Sequence, residues 1–230
     1  MSVDPSFRYP GDVEMARLLA EVSCPRPVGE CRALLRGAVA AQKTPLPSVL
    51  VRELFHGREP KFRNLAQADR FVACLFALMG ELQARFSASE FGETAGGAVV
   101  GSIEDRAGAR YAEVRAFLRG LDLGATDPAG LDDGGQAALR ALTDASAYLG
   151  AMSGLAATDA PTQPDLAART DASVASLESM TADCMGRIES SLRRTRGPSG
   201  ERAPDCGVGP NDLCRCGSGK PLRRCCGAPA

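Results

Sequence analysis

The sequence predicts an all-α protein: a compact multi-helix domain, then a long amphipathic helix, then a small cysteine-rich module on a tether. Three observations carry that expectation. Alanine is abundant and β-branched runs are scarce, which favours helix over strand. Apolar residues recur at intervals of three and four through successive stretches. Proline- and glycine-bearing breaks separate those stretches, and the last break introduces a carboxy end rich in cysteine.

Aromatic residues make up 5% of the chain and tryptophan is absent, so the core is expected to consist of Leu, Val, Ala, Met and Phe. A length of 230 residues holds one sizeable core plus an appendage, or two small domains. The net charge of −1 argues against a globally basic coat for nucleic acid.

Met15–Ala20 opens a short helix after Asp12, and Cys24-Pro25-Arg26-Pro27 breaks it. A second helix is expected from about Gly29 to Gln42, with Cys31, Leu34, Leu35 and Ala38 at helical spacing. Pro45 and Pro47 open a third through Val49, Leu50 and Leu54, and His56–Pro60 is expected to be a loop. Asn64 is placed to cap a long helix ending near Phe86. Its apolar positions Leu65, Ala68, Phe71, Val72, Leu75, Phe76, Leu78, Met79 and Leu82 are nearly continuous, so it is expected to be the central, most buried helix.

Ser87–Ser102, with Gly92, Gly96, Gly97 and Gly101, is expected to be loop-like. Asp105–Leu121 is expected to be helical, burying Tyr111, Val114, Phe117 and Leu118. An acidic turn over Gly124–Asp133 precedes a helix from about Gly134 to Met152, which completes a helical domain over residues 1–155. Ala156–Pro164 has linker composition. Residues 165–196 place Leu166, Val174, Leu177, Thr181, Cys184, Ile188 and Leu192 on one stripe, a long amphipathic helix that docks on the core or engages a partner. Residues 197–209 form a flexible tether, and 210–228 the terminal module.

That module holds Cys214, Cys216, Cys225 and Cys226: Cys-x-Cys, eight residues, then Cys-Cys. Four thiolates so close in sequence suit a tetrahedral soft-metal site, zinc above all, and S₄ geometry also accepts iron. Gly217 and Gly219 allow a tight turn around an ion, and Pro221 suits the first position of a short helical turn delivering Cys225 and Cys226. Two disulfides are the alternative, disfavoured because nothing in the chain points to export. Met1–Pro5 has neither a basic flank nor an apolar run, and no stretch is expected to reach bilayer-spanning length. The expected home is the reducing cytoplasm, with no membrane partner. Gly217–Lys220 is not a phosphate loop, since Cys214 stands where the first glycine belongs and Pro221 where Ser or Thr belongs.

The tail from Gly209 to Gly227 resembles the SEC-C motif, the metal-binding carboxy-terminal tail of the SecA translocase motor and several unrelated bacterial proteins. The resemblance rests on Asn211-Asp212, Cys214, Cys216, Gly217-Ser218-Gly219-Lys220 and Cys225-Cys226-Gly227. Leu213 and Arg215 stand where the family often has proline, and Leu222 where it usually has an aromatic. The body resembles the YecA/YgfB family of all-helical bacterial proteins. It does so at Leu46-Pro47-Ser48, Leu54-Phe55-His56-Gly57, Phe62–Ala68, Ala77-Leu78-Met79 and Phe117–Leu121, with Val51 and Tyr111 near the family's tryptophans. YecA-type members end in a SEC-C tail. The two resemblances imply a partner in protein synthesis or export, either the ribosome or a chaperone such as SecB.

Arg215, Lys220, Arg223 and Arg224 rim the module, and Arg193, Arg194, Arg196 and Arg202 lie upstream. Zn²⁺ with four thiolates carries −2, so the rim either neutralises the site or meets RNA phosphates or an acidic protein face. Elsewhere the signals for chemistry are weak. His56, the single histidine, has no partner spaced for catalysis and is expected to be a solvated loop residue. Cys24 and Cys31 lie one heptad apart, but the intervening prolines favour core packing over pairing. Cys74 and Cys184 are expected as small core residues, and Cys206 as a free tether thiol. No nucleophile, acid/base pair, open metal position or small-molecule site is apparent. The leading expectation is a non-enzymatic zinc adaptor; the alternatives are a nucleic-acid-binding regulator using the Arg-rich end and a thiolate iron or redox sensor.

Overall fold

The computed structural model describes residues 8–89, 101–154 and 164–196, with the side chains of the last helix described from 168 to 195. The chain divides into two units, Met1–Thr195 and Arg196–Ala230. Seven α-helices and no strand occur among the described residues: α1 (Asp12–Glu21), α2 (Val28–Ala40), α3 (Pro47–Leu54), α4 (Leu65–Ala88), α5 (Ile103–Leu123), α6 (Asp133–Ser153) and α7 (Pro164–Arg196). A 3₁₀ turn, Pro128–Gly130, precedes α6.

Local chemistry sets most of the helix ends. Pro47 occupies the first turn of α3, where its missing N–H costs nothing. Asn64 accepts from the Gln67 N–H at the start of α4 (2.9 Å). Ser102 and Asp105 form a reciprocal capping box at α5, and Asp132 accepts from the Gly135 N–H at α6. α1 starts at Asp12 itself, whose carboxylate turns to the Tyr9 hydroxyl and Arg32 instead of capping.

Three helices end in the same way. After α1, Cys24 N–H reaches Leu19 O (2.8 Å) and Ser23 N–H reaches Ala20 O (3.1 Å), with Ser23 at φ 53°. After α3, Gly57 bonds Arg52 O and His56 bonds Glu53 O, with His56 at φ 53°. After α5, Thr126 bonds Leu121 O and Ala125 bonds Asp122 O, with Ala125 at φ 49°. These are Schellman closures, here built with non-glycine residues in the left-handed position.

The centre of the body is the α2–α5 pair, not α4. Nine of the thirteen residues of α2 are buried, against seven of twenty-four in α4. At the crossing Gly37 faces Gly120, and a Cβ on Gly37 would stand 3.1 Å from Gly120 Cα. α5 also packs on α6, while α4 lies outside, on α2 and α1. The apolar run of α4 therefore overstated its depth: Leu65 is exposed, and Val72, Phe76 and Met79 are half-buried. The expectation that no stretch reaches bilayer-spanning length also fails for α4, which is long and apolar enough by length and composition. Its residues Phe71, Cys74, Leu75, Leu78 and Leu82 are spent on the core of the body, where Phe71 meets Phe55 edge-on.

α7 docks on the body through one face. Val174, Thr181, Cys184, Met185, Ile188 and Leu192 are all buried. Ionic and polar contacts fix its register. Arg36 on α2 makes a bidentate pair with Glu189 (2.5 and 2.7 Å). Arg110 on α5 donates to Thr181 Oγ1 (2.8 Å) and Glu178 O (2.7 Å). Ser191 Oγ accepts from the Asp132 N–H (2.9 Å) where α6 begins, and Gly135 leaves the room for Ser191.

Candidate metal centre and the thiols of the body

Four of the nine cysteines lie among the described residues, all as free thiols: Cys24, Cys31, Cys74 and Cys184. Cys74 is buried in α4 and donates to Met15 Sδ (3.6 Å); burial pushes its thiol up to about 11. Cys184 is buried on α7 and is likewise raised by burial. Both are core residues, as the apolar spacing around them indicates.

Cys24 and Cys31 are also free thiols, Cys31 in the core and Cys24 packed against it, in line with the expectation of core packing over pairing. The Cys31 side chain holds the Cys24 thiol down to about 7, while Cys24 and burial push the fully buried Cys31 up. Their other partners are backbone carbonyls, Leu54 O for Cys24 (3.5 Å) and Arg26 O for Cys31 (3.7 Å).

No group of three or more His, Cys, Asp or Glu side chains is placed to hold a metal among the described residues. His56 is exposed, as expected, but its backbone role is the left-handed cap of α3. At the carboxy end of α7, Arg194 pairs with Asp132 (2.5 Å), and Arg193 is half-buried. This exposed pair joins α7 to the start of α6. No pattern in the local sequence marked that pair, since its partners lie far apart along the chain.

The predicted ligands Cys214, Cys216, Cys225 and Cys226, the rim residues Arg215, Lys220, Arg223 and Arg224, and Cys206 all lie outside the described residues. So do Arg202, residues 156–163 of the linker and the tether 197–209, while Pro164, the last residue assigned to the linker, opens α7.

The class of the molecule is thus a helical body whose own thiols are accounted for, followed by a tail bearing the remaining five. Comparison with protein families is specific about that tail: residues 211–228 match the SEC-C motif. SEC-C motifs are metal-binding as a class. The match spans all four predicted ligand positions. No curated protein and no solved structure matches the chain. The donor set fits a metal: four cysteines in one short segment supply the sulfur ligands that a soft metal ion takes.

Proposed function

We propose that this protein is a non-enzymatic cytoplasmic adaptor of the YecA/YgfB type. Cys214, Cys216, Cys225 and Cys226 hold one zinc ion, and the folded module carries Arg215, Lys220, Arg223 and Arg224 to a partner in protein synthesis or export, the ribosome or a chaperone. The SEC-C match at residues 211–228 carries this reading. Iron is the alternative metal that the same sulfur set accepts.

A segment of this length has no hydrophobic core, so metal capture supplies its folding free energy, on the order of 10 kcal/mol at neutral pH. A closed site is structural, and what it presents is a small rigid surface with cationic side chains.

Co-sedimentation of the full chain with ribosomes across a salt series tests the reading. Binding that weakens with salt and is lost in Cys225→Ser supports it. No binding by the wild type, or equal binding by the variant, refutes the ribosomal form of the proposal.

A further inference from the structure

The end of α1 and the segment joining α3 to α4 border two adjoining recesses that the metal reading leaves unused. The first, of about 360 Å³, has an apolar floor of Val22, Pro25 and Phe55 and a polar rim that includes Arg58, Glu59 and Lys61. The second, of about 420 Å³, is lined by Glu21, Arg63, Asn64, Ala66, Gln67 and Arg70. Their linings follow on along the chain, from Glu21 to Val22 and from Lys61 across Phe62 to Arg63. Phe62 packs on Phe71, with ring centres 5.8 Å apart, and the Arg63 N–H donates to Gln67 Oε1 (2.7 Å), so the divide between the recesses is tied to the core.

The charge around these recesses is unbalanced. Glu53, just before the segment, is paired with Arg26 and Arg119, and Glu21 with Arg17 and Arg70. Arg58, Lys61 and Arg63 are exposed and enter no ion pair among the described residues, and Glu59 is the one carboxylate left beside them. Free cations thus border an apolar floor, in a chain whose net charge is −1. We propose that the two recesses dock an extended acidic segment of a partner protein. An apolar side chain of that segment rests on Val22 and Phe55, and its carboxylates meet Arg58, Lys61 and Arg63.

Charge complementarity names the class of ligand: unpaired guanidinium and ammonium groups around a cleft recognise carboxylates and hold them by charge-assisted hydrogen bonds. The first recess is of the size that admits a ligand, typically about 300–1,000 Å³. In an extended peptide, successive side chains point to opposite sides, so an apolar anchor can face the floor while acidic neighbours reach the rim. A small anion would use the cations and leave the apolar floor empty. An RNA strand would meet the cations but gain little from the floor, because Phe55 is 4% exposed and offers no open face for a base to stack on. Every contributing residue belongs to the body. The inference therefore extends the adaptor reading to a second surface and does not depend on metal in the tail.

The test titrates the full chain into the fluorescein-labelled peptide amide Gly-Asp-Glu-Leu-Asp-Glu-Leu and reads fluorescence anisotropy. The expected result is saturable binding that weakens as salt rises. Arg58→Glu with Lys61→Glu changes two exposed side chains, keeps the circular dichroism of the wild type, and should weaken binding at least about tenfold. Arg140→Glu with Arg187→Glu makes the same change of net charge at exposed positions of α6 and α7 and should leave binding unchanged. Replacing both leucines of the peptide by serine should weaken binding about tenfold. Cys225→Ser should bind like the wild type, which separates this surface from the metal module. Absence of saturable binding, or equal weakening by the two double variants, overturns the proposal. Equal affinity for the serine peptide overturns the role of the apolar floor. Labelled hexauridine RNA that binds more tightly than the peptide and is released by Arg58→Glu with Lys61→Glu overturns the choice of a protein ligand. Loss of peptide binding in Cys225→Ser moves the contact to the tail and overturns the assignment to the body.

Discussion

The sharpest structural prediction concerns one methyl group at Gly37. In an isolated helix, replacing glycine by alanine is favourable by about 1 kcal/mol. At Gly37 the new Cβ would press on the Phe117 carbonyl oxygen and stand 3.1 Å from Gly120 Cα. From the other side, a Cβ on Gly120 would stand 2.7 Å from Ala38 N and 2.9 Å from Gly37 Cα. An ordinary carbon contact is about 3.5–4.0 Å, so α2 and α5 would have to part by roughly 1 Å. The obstructing atoms are backbone, which cannot rotate away, and the pair forms the centre of the core. Overpacking of that kind costs about 1–3 kcal/mol, and the upper end applies here. Gly37→Ala is therefore expected to lower stability by about 2 kcal/mol despite its helix propensity. Gly80, exposed in α4 with nothing within 4 Å of its Cβ position, supplies the control, and Gly80→Ala should raise stability by about 1 kcal/mol. Urea unfolding followed by far-UV circular dichroism reads both. If Gly37→Ala gains stability like Gly80→Ala, the close crossing is wrong.

Ala125 holds the left-handed position after α5 at φ 49° with no side chain able to compensate, so Ala125→Gly should gain about 1 kcal/mol in the same unfolding assay. Arg36→Met removes the partner of a buried carboxylate and should cost about 3 kcal/mol, while Arg36→Met with Glu189→Leu should cost less than the single change. Burial already pushes the Glu189 carboxyl above its ordinary range, so the folded single variant takes up a proton more readily than the unfolded chain, and its deficit should shrink as pH falls. Asp132 behaves in the opposite sense: the Arg194 guanidinium and the Gly135 N–H hold its carboxyl below the ordinary aspartate range. Its contribution is present above that range and lost as pH falls through the depressed value, so Asp132→Asn should flatten the acid limb of the melting-temperature profile.

What the sequence made legible was what neighbouring residues decide among themselves. Asn64, Ser102 with Asp105, and Pro47 start their helices through bonds or φ preferences only a few residues long. The stripe of α7 was visible because its buried positions repeat along one face. The four tail thiols stood out for the same reason, since a site gathered in one short segment needs no fold to be recognised. Depth in the core was not legible. α4 is the most continuously apolar helix yet lies outside, because the centre is set by how closely backbones approach, and Gly37 and Gly120 carry no hydrophobic signal. The closure of α1 was not legible either, because Ser23 takes the left-handed position with no glycine to mark it. The Arg36–Glu189 and Arg194–Asp132 pairs join residues distant in the chain, and only the docking of α7 brings them together.

The central claim is that the carboxy-terminal tail is ordered by an ion held on sulfur. Metal analysis of the full chain, purified without added zinc, together with site-resolved alkylation, tests it most directly. The expected result is one equivalent of zinc or iron, with Cys214, Cys216, Cys225 and Cys226 protected until a chelator is added and the helical signal of the body unchanged by it. Protein free of bound metal, with those four thiols fully alkylated from the outset, would contradict the account.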